Sequence, residues 1–287
     1  MSTLVGLTPG EPGWSALDLG GVLARAAGET LVVAVVVAAP WPPAPDQADR
    51  EFRALQEQVA QEALEEARVR IGPDLKAEFQ VRHAQSVPAG LLEAAHTAGV
   101  ARIVLGSSAS GLGNRVSLGG VAARILHSCA LPVALAPREY AAPAGGITRI
   151  TVGFGRADTD SDLLTTAAAL SQAWDVSLRV ACFAVRPFAL GGTIEPQAEE
   201  LVVGEWAHRL QDDIAAALKT ASSAQPPEVV LGQGGPWEQA INDIGWLLGD
   251  VLVIGSTHSA ISRVFLGSHA AKIVRNAPVP VVLLPRG

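Results

Sequence analysis

The apolar and polar positions of the chain form two successive series in which short β-like runs alternate with longer helix-like ones. In the first half, Thr3–Thr8 is a short apolar run, and Ser15–Ala27 carries its apolar residues at helical spacing. Leu31–Ala39 is apolar and largely β-branched at successive positions, the pattern of a strand covered on both faces in a parallel sheet. Asp46–Ile71 predicts a long helix rich in glutamate, broken by Gly72-Pro73. A strand at Ala77–Arg82, a helix at Pro88–Thr97, a strand at Arg102–Leu105, a glycine-rich loop, a helix at Leu118–Ser128 and a strand at Val133–Ala136 complete the first series. The second series repeats the order. Its strands are predicted at Ile150–Phe154, Ser177–Ala184, Glu228–Leu231, Val251–Ile254 and Val281–Leu284, and its helices at Ser161–Trp174, Glu199–Thr220, Trp237–Leu248 and Leu266–Arg275. Strands separated by helices imply right-handed parallel crossovers, hence an α/β fold.

The two series are copies of one unit. Arg115–Arg138 aligns with Arg263–Arg286 at a constant offset of 148, with 12 identities across the 24 positions. Upstream, Ile103–Ser107 aligns with Leu252–Ser256 at an offset of 149, so the intervening loop is one residue shorter in the second copy. The stretch Tyr140–Gly146, with Pro143 and two glycines, reads as a linker between a unit at 1–139 and a unit at 147–287.

Composition narrows the function classes. A chain of 287 residues suits two compact domains, and 49% hydrophobic with 17% charged residues suits a soluble α/β protein. The formal net charge of −7, without a basic stretch, speaks against a nucleic-acid partner. The apolar run Leu31–Pro40 is about half the ~20 residues that a membrane helix needs, and no signal peptide is evident, so no membrane partner and a cytoplasmic location are expected. Cys129 and Cys182 sit in apolar surroundings and read as core residues, and the six histidines lack metal-ligand spacing. Ser107, Ser108, Ser110 and Ser256 lie in no G-x-S-x-G elbow, and no G-x4-G-K-[S/T] occurs, so neither a hydrolase nor a P-loop ATPase is indicated. Gly153-Phe154-Gly155 departs from a dinucleotide fingerprint, because Asp158 takes the third glycine place and Asp175 precedes the second strand instead of ending it.

The chemistry concentrates in the two glycine loops. Gly106–Gly120 leaves the carboxyl end of a strand and enters a helix N-terminus, where free N–H groups and the helix dipole favour an anion. The bland alternative is that its glycines only permit a tight turn. Arg115 and Arg263 occupy the same place in the two loops and read either as phosphate-neutralising groups or as solvated arginines. His258 and His269 flank the second loop and read by default as core or surface histidines, with approach to a phosphate there as the alternative.

On these motifs the chain resembles the universal stress protein family, whose nucleotide-binding members carry G-x2-G-x9-G-[S/T]. The likeness covers the whole chain as a tandem pair. The first copy supplies Gly106, then Ala109 in the second glycine place, then Gly119, with Gly120 where a hydroxyl residue is usual. The second copy supplies Gly255, His258 in the second glycine place, and Gly267-Ser268 after a loop one residue short. The Asp that meets the nucleoside in ATP-binding members falls on Thr8 in the first copy and near Gly155 in the second, so both lack the carboxylate. The resemblance implies two adenine-nucleotide alpha-hydrolase-like (Rossmann-like) domains. Each is a five-stranded parallel open sheet with helices on both faces, and the pair is related by a pseudo-two-fold axis through the last strands. It also implies a non-enzymatic stress-response sensor or adaptor that binds ATP or another adenine nucleotide at Thr8, Gly106, Ser107, Arg115, Gly119 and Gly120, and at Gly155, Gly255, Ser256, Arg263, Gly267 and Ser268. If one site alone binds, the retained Gly267-Ser268 favours the second copy. A nucleotide-independent scaffold for a protein partner and a slow ATPase remain as alternatives, and further dimerisation of the chain stays open.

Overall fold

The computed structural model describes residues 1–39, 47–108, 113–155, 157–185, 212–216, 227–259, 262–265 and 267–285. In the first copy these form β1 (Ser2–Gly6), α1 (Glu11–Ala27), β2 (Thr30–Ala38), α2 (Gln47–Ile71), β3 (Ala77–Ala84), α3 (Val87–Ala98), β4 (Arg102–Gly106), α4 (Gly120–Ser128) and β5 (Val133–Ala136). The second copy contains β6 (Arg149–Gly153), α5 (Ala157–Trp174), β7 (Ser177–Val185), β8 (Glu228–Gly234), α6 (Trp237–Asp243), β9 (Asp250–Ser259), β10 (Ser262–Phe265), α7 (Ser268–Asn276) and β11 (Val281–Pro285). Of the helix expected at Glu199–Thr220, residues 212–216 are helical and the rest lies outside the described residues.

Both copies wind in the same way. The strand order is β3-β2-β1-β4-β5-β11-β9-β6-β7-β8, so each half reads third, second, first, fourth, fifth from its outer edge inward. Within each half every pairing along this path is parallel. The halves meet through β5 and β11, which run antiparallel with Leu135 opposite Val281, Ala134 opposite Val282 and Val133 opposite Leu283. Ala134 and Val282 are equivalent positions of the repeat, so the pseudo-two-fold axis passes between them.

Alternation along the strands sends successive side chains to opposite faces and builds two cores. One packs Val5, Val33, Val104, Val152 and Val253 against α1, α2 and α5. The other packs Leu4, Val32, Ile103, Leu252 and Leu283 against α3, α4 and α7. Each core runs from one half into the other. The linker is anchored as well, since Tyr140 packs on the first core and Gly146, at φ 67°, closes a turn onto the Pro143 carbonyl.

Two second-copy elements depart from expectation. The helix from Trp237 ends at Asp243 instead of Leu248, with Gly245 in the left-handed region at φ 65° just beyond it. The expected loop after Ile254 is part of a hairpin, in which β9 continues to Ser259 and pairs antiparallel with β10 through Thr257–Phe265 and Ser259–Ser262.

At the opposite end of the strands from the glycine loops, the second copy buries an ion network. Arg149 donates to both Asp250 carboxylate oxygens at 2.9 and 2.7 Å. Arg179, fully buried, reaches Asp250 at 3.4 Å, the Thr151 hydroxyl at 3.1 Å and the carbonyls of Ile244 and Gly245. Burial lowers the Arg179 pKa, with the neighbouring Arg149 charge acting in the same direction. Charged groups so far from water persist because their hydrogen-bonding capacity is met.

Candidate functional site

In each half the order of strands reverses between the first and fourth, and the crevice at their carboxyl ends is the place where such sheets hold ligands. In the first copy that crevice is an open cleft of about 240 Å³. Gly6 at the end of β1 and Thr8 just after it, Ala34 and Val36 on β2, Val87 and Leu91 on α3, and Gly106, Ser107, Ser108, Gly119 and Gly120 around the loop are among its lining residues.

Two of the lining glycines stand in close quarters. A Cβ on Gly6 would stand 2.8 Å from Leu91 Cδ1 and 2.9 Å from Leu105 Cδ2, and one on Gly13 would stand 1.9 Å from the Thr8 carbonyl oxygen. The nine-residue α4 starts after Gly119 without a side-chain cap, which leaves its first N–H groups and its positive dipole end to the cleft. Among the described residues, none that lines the cleft is charged. An anion there would be met by backbone N–H groups and the helix dipole instead of by a cation.

The expected site residues do not all serve in the expected way. Thr8, Gly106, Ser107, Gly119 and Gly120 come together at the cleft. The Ser107 hydroxyl, however, donates to the Ala136 carbonyl at 2.6 Å and accepts from the Ser117 amide at 3.0 Å, tying the loop to β5. Ser256 repeats this tie by donating to the Leu284 carbonyl at 3.2 Å. Arg115 is absent from the lining, and its guanidinium crosses to the second copy, where it donates to Glu238 at 2.9 Å. Ala109 lies outside the described residues, as do the side chains of His258 and Arg263.

The corresponding end of the second copy is furnished differently. Gly155 takes the place of Thr8, and its amide donates at 2.9 Å to Asp160, a buried carboxylate standing where the first copy has Gly13. Trp237 opens α6 as Val87 opens α3, and His269 stands where the first copy has Val121. These two rings lie 5.4 Å apart at an interplanar angle of 37°. Lys272 Nζ sits 5.8 Å from the Trp237 ring centre. Gly255 is buried in β9 opposite Leu284, while Gly267 precedes α7 and the exposed Ser268 begins it. Below this end the Cys182 thiol is pushed up to about 12, by burial first and by the Asp160 charge second.

Sequence reasoning missed the glycines and apolar residues that complete the cleft, Gly6, Gly13, Val36, Val87 and Leu91. Gly6 and Gly13, flanking the end of the first strand, were the available signal. Glu238 as the partner of Arg115 left no signal, since 123 positions separate them.

A fused pair of Rossmann-like units, each with a glycine-bordered site at its strand ends, is the class that fold and site define. The family model for the universal stress protein family matches residues 1–137 and 146–285, and the chain belongs to that family. It is 33% identical over 295 residues to a universal stress protein of Mycobacterium tuberculosis, covering 99% of this chain and 100% of the relative. The same figures hold for a universal stress protein of Mycobacterium bovis. A universal stress protein of Archaeoglobus fulgidus shares the fold with a TM-score of 0.64 at 17% identity, over 100% of this chain and 98% of that one. Among the described residues no helix is long and apolar enough to cross a membrane.

Proposed function

We propose that the chain is a non-enzymatic cytoplasmic stress-response sensor or adaptor, divided at 140–146 into two units, whose first copy binds an adenine nucleotide. Thr8 and the glycines 6 and 13 border the nucleoside, and Gly106, Ser107, Gly119 and Gly120 receive the phosphate with backbone N–H groups. The observation that carries this reading is the open cleft of about 240 Å³ at the first-copy switch point, directly before the uncapped α4. This reverses the order that Gly267-Ser268 alone suggests.

The second copy acts as scaffold. The buried Asp160 carboxylate stands where Gly13 borders the nucleoside in the first copy, and the Trp237–His269 pair occupies the positions that are Val87 and Val121 there. Because no charged side chain lines the first cleft among the described residues, affinity is modest and a single phosphate is held about as well as three. Calorimetric titration with ATP, ADP, AMP and cyclic AMP, with and without magnesium, tests the proposal. Heat consistent with one site per chain supports it, and no uptake at millimolar nucleotide overturns it. Phosphate release above a protein-free control would replace the sensor with an ATPase.

A further inference from the structure

We infer that Arg115 is a positioning residue of the first-copy loop, held in place by a carboxylate of the second copy, so that the first site is complete only in the fused chain. This rests on the nucleotide reading above for its ligand, though not for its geometry.

Arg115 belongs to the return arm of the loop, which is laced to the residues that line the cleft. Its carbonyl accepts from the Arg138 amide at 3.2 Å. Two residues on, Ser117 donates its amide to Ser107 Oγ at 3.0 Å and accepts from the Ser108 amide at 3.0 Å. Displacing Arg115 therefore displaces Ser107 and Ser108, which face the cleft.

The guanidinium that fixes this arm points away from the cleft and is largely buried, with 18% of the side chain exposed. Nη2 donates to Glu238 Oε1 at 2.9 Å, and Nη1 donates to Asn242 Oδ1 at 3.4 Å and to the Asn276 carbonyl. All three acceptors belong to the second copy: Glu238 and Asn242 on α6, and Asn276 at the carboxyl end of α7, where the helix dipole favours a cation.

The arrangement is one-sided. Where the second copy has Glu238 and Asn242, the first has Pro88 and Leu92, so these two acceptors are not repeated for the second loop. A pair that merely stabilised the pseudo-two-fold interface could have been kept on both sides. This one acts on the first copy, at whose strand ends the cleft of about 240 Å³ lies. If Arg115 instead served phosphate directly, Glu238 would compete with the ligand for it, and the two roles predict opposite signs for loss of Glu238.

The test is Glu238→Gln in the full chain, read in two ways: titration with ATP and with cyclic AMP, and hydrogen exchange of the ligand-free protein. Expected are nucleotide affinity weaker by about threefold, the order of a partly exposed charge pair, and faster exchange at the Ser108 and Ser117 amides with β2 and β7 at wild-type rates. Asn242→Ala should act in the same direction if Arg115→Ala fails to fold. If Arg115→Ala folds, it should weaken binding by at least as much as Glu238→Gln, and the double variant should lose no more than Arg115→Ala alone. Tighter binding in Glu238→Gln, or unchanged exchange at Ser108 and Ser117, overturns the inference. If the wild type takes up neither nucleotide, the proposed function falls and the exchange measurement alone decides: faster exchange upholds the fastening, and unchanged exchange removes it.

Discussion

The two strand-end sites of this protein stand on the same scaffold and have diverged in a handful of side chains. At the first, Gly13, Val87 and Val121 leave a cleft. At the second, Asp160, Trp237 and His269 hold the same three places. The scaffold tolerates this because sheet pairing and the two cores depend on the strand interiors, which keep their Val, Leu and Ile pattern in both copies. Strand ends carry little of the packing, so one substitution there changes the chemistry without unseating the fold.

The largest expected effect falls at the far end of the second copy. Asp250→Ala leaves Arg179, 1% exposed, as an uncompensated buried charge. A loss of about 3–5 kcal/mol is expected in urea unfolding. The first copy's comparable tie is lighter, with Glu29 accepting from the Thr3 hydroxyl at 2.6 Å and from Arg102 at 2.9 Å. Glu29→Ala should cost about 2 kcal/mol in the same assay, and equal losses would remove the distinction.

Next in size is Gly13→Asp, which imports the second copy's residue into the first. A side chain there must displace the Thr8 carbonyl, 1.9 Å from the new Cβ. About 1–3 kcal/mol of stability should be lost, and nucleotide affinity should fall by about tenfold or more. Wild-type affinity in this variant would place the ligand away from β1.

A smaller effect is expected in alkali. Burial first, and the nearby Asp18 charge second, push the Tyr140 hydroxyl up to about 12. The unfolded chain releases that proton at lower pH than the folded one, so stability should fall as pH rises from about 10 toward 12. Tyr140 is the only tyrosine, so phenolate absorbance reports it directly. A phenolate titration at the ordinary tyrosine pKa in the folded protein would show the linker to be detached from the first core.

The smallest effect concerns Cys182, whose thiol is held protonated by burial and by Asp160. One thiol per chain, the half-buried Cys129, should react with a thiol reagent in the native state, and two after unfolding. Two reactive native thiols would mean that the floor of the second site is open.

Local pattern and self-similarity carried the fold. The offset of 148 identified the copies, and the β-branched run Leu31–Ala39 announced a central strand. The pairing of Val133–Ala136 with Val281–Leu284 followed from the family resemblance. The site was half legible. Gly106, Ser107, Gly119 and Gly120 could be read because they bound one loop. Val36, Val87 and Leu91 reach the cleft only through the parallel crossovers, and nothing near them in the chain marks that role. The hairpin of β9 and β10 was hidden because Thr257–Phe265 carries the serines and histidine of a loop, and its pairing is specified by the partner arm. Arg115 was read as a phosphate-neutralising or solvated charge at the loop, but its partner Glu238 lies on a helix of the other copy, beyond any short-range pattern.

The account's central claim is that the duplicated protein keeps one working strand-end site, in its first copy. Titrating cyclic AMP and ATP into the wild type, Gly119→Val and Gly267→Val under identical conditions tests it most directly. One site per chain is expected, lost in Gly119→Val and retained in Gly267→Val. Loss in Gly267→Val with retention in Gly119→Val, or two equal sites in the wild type, would contradict it.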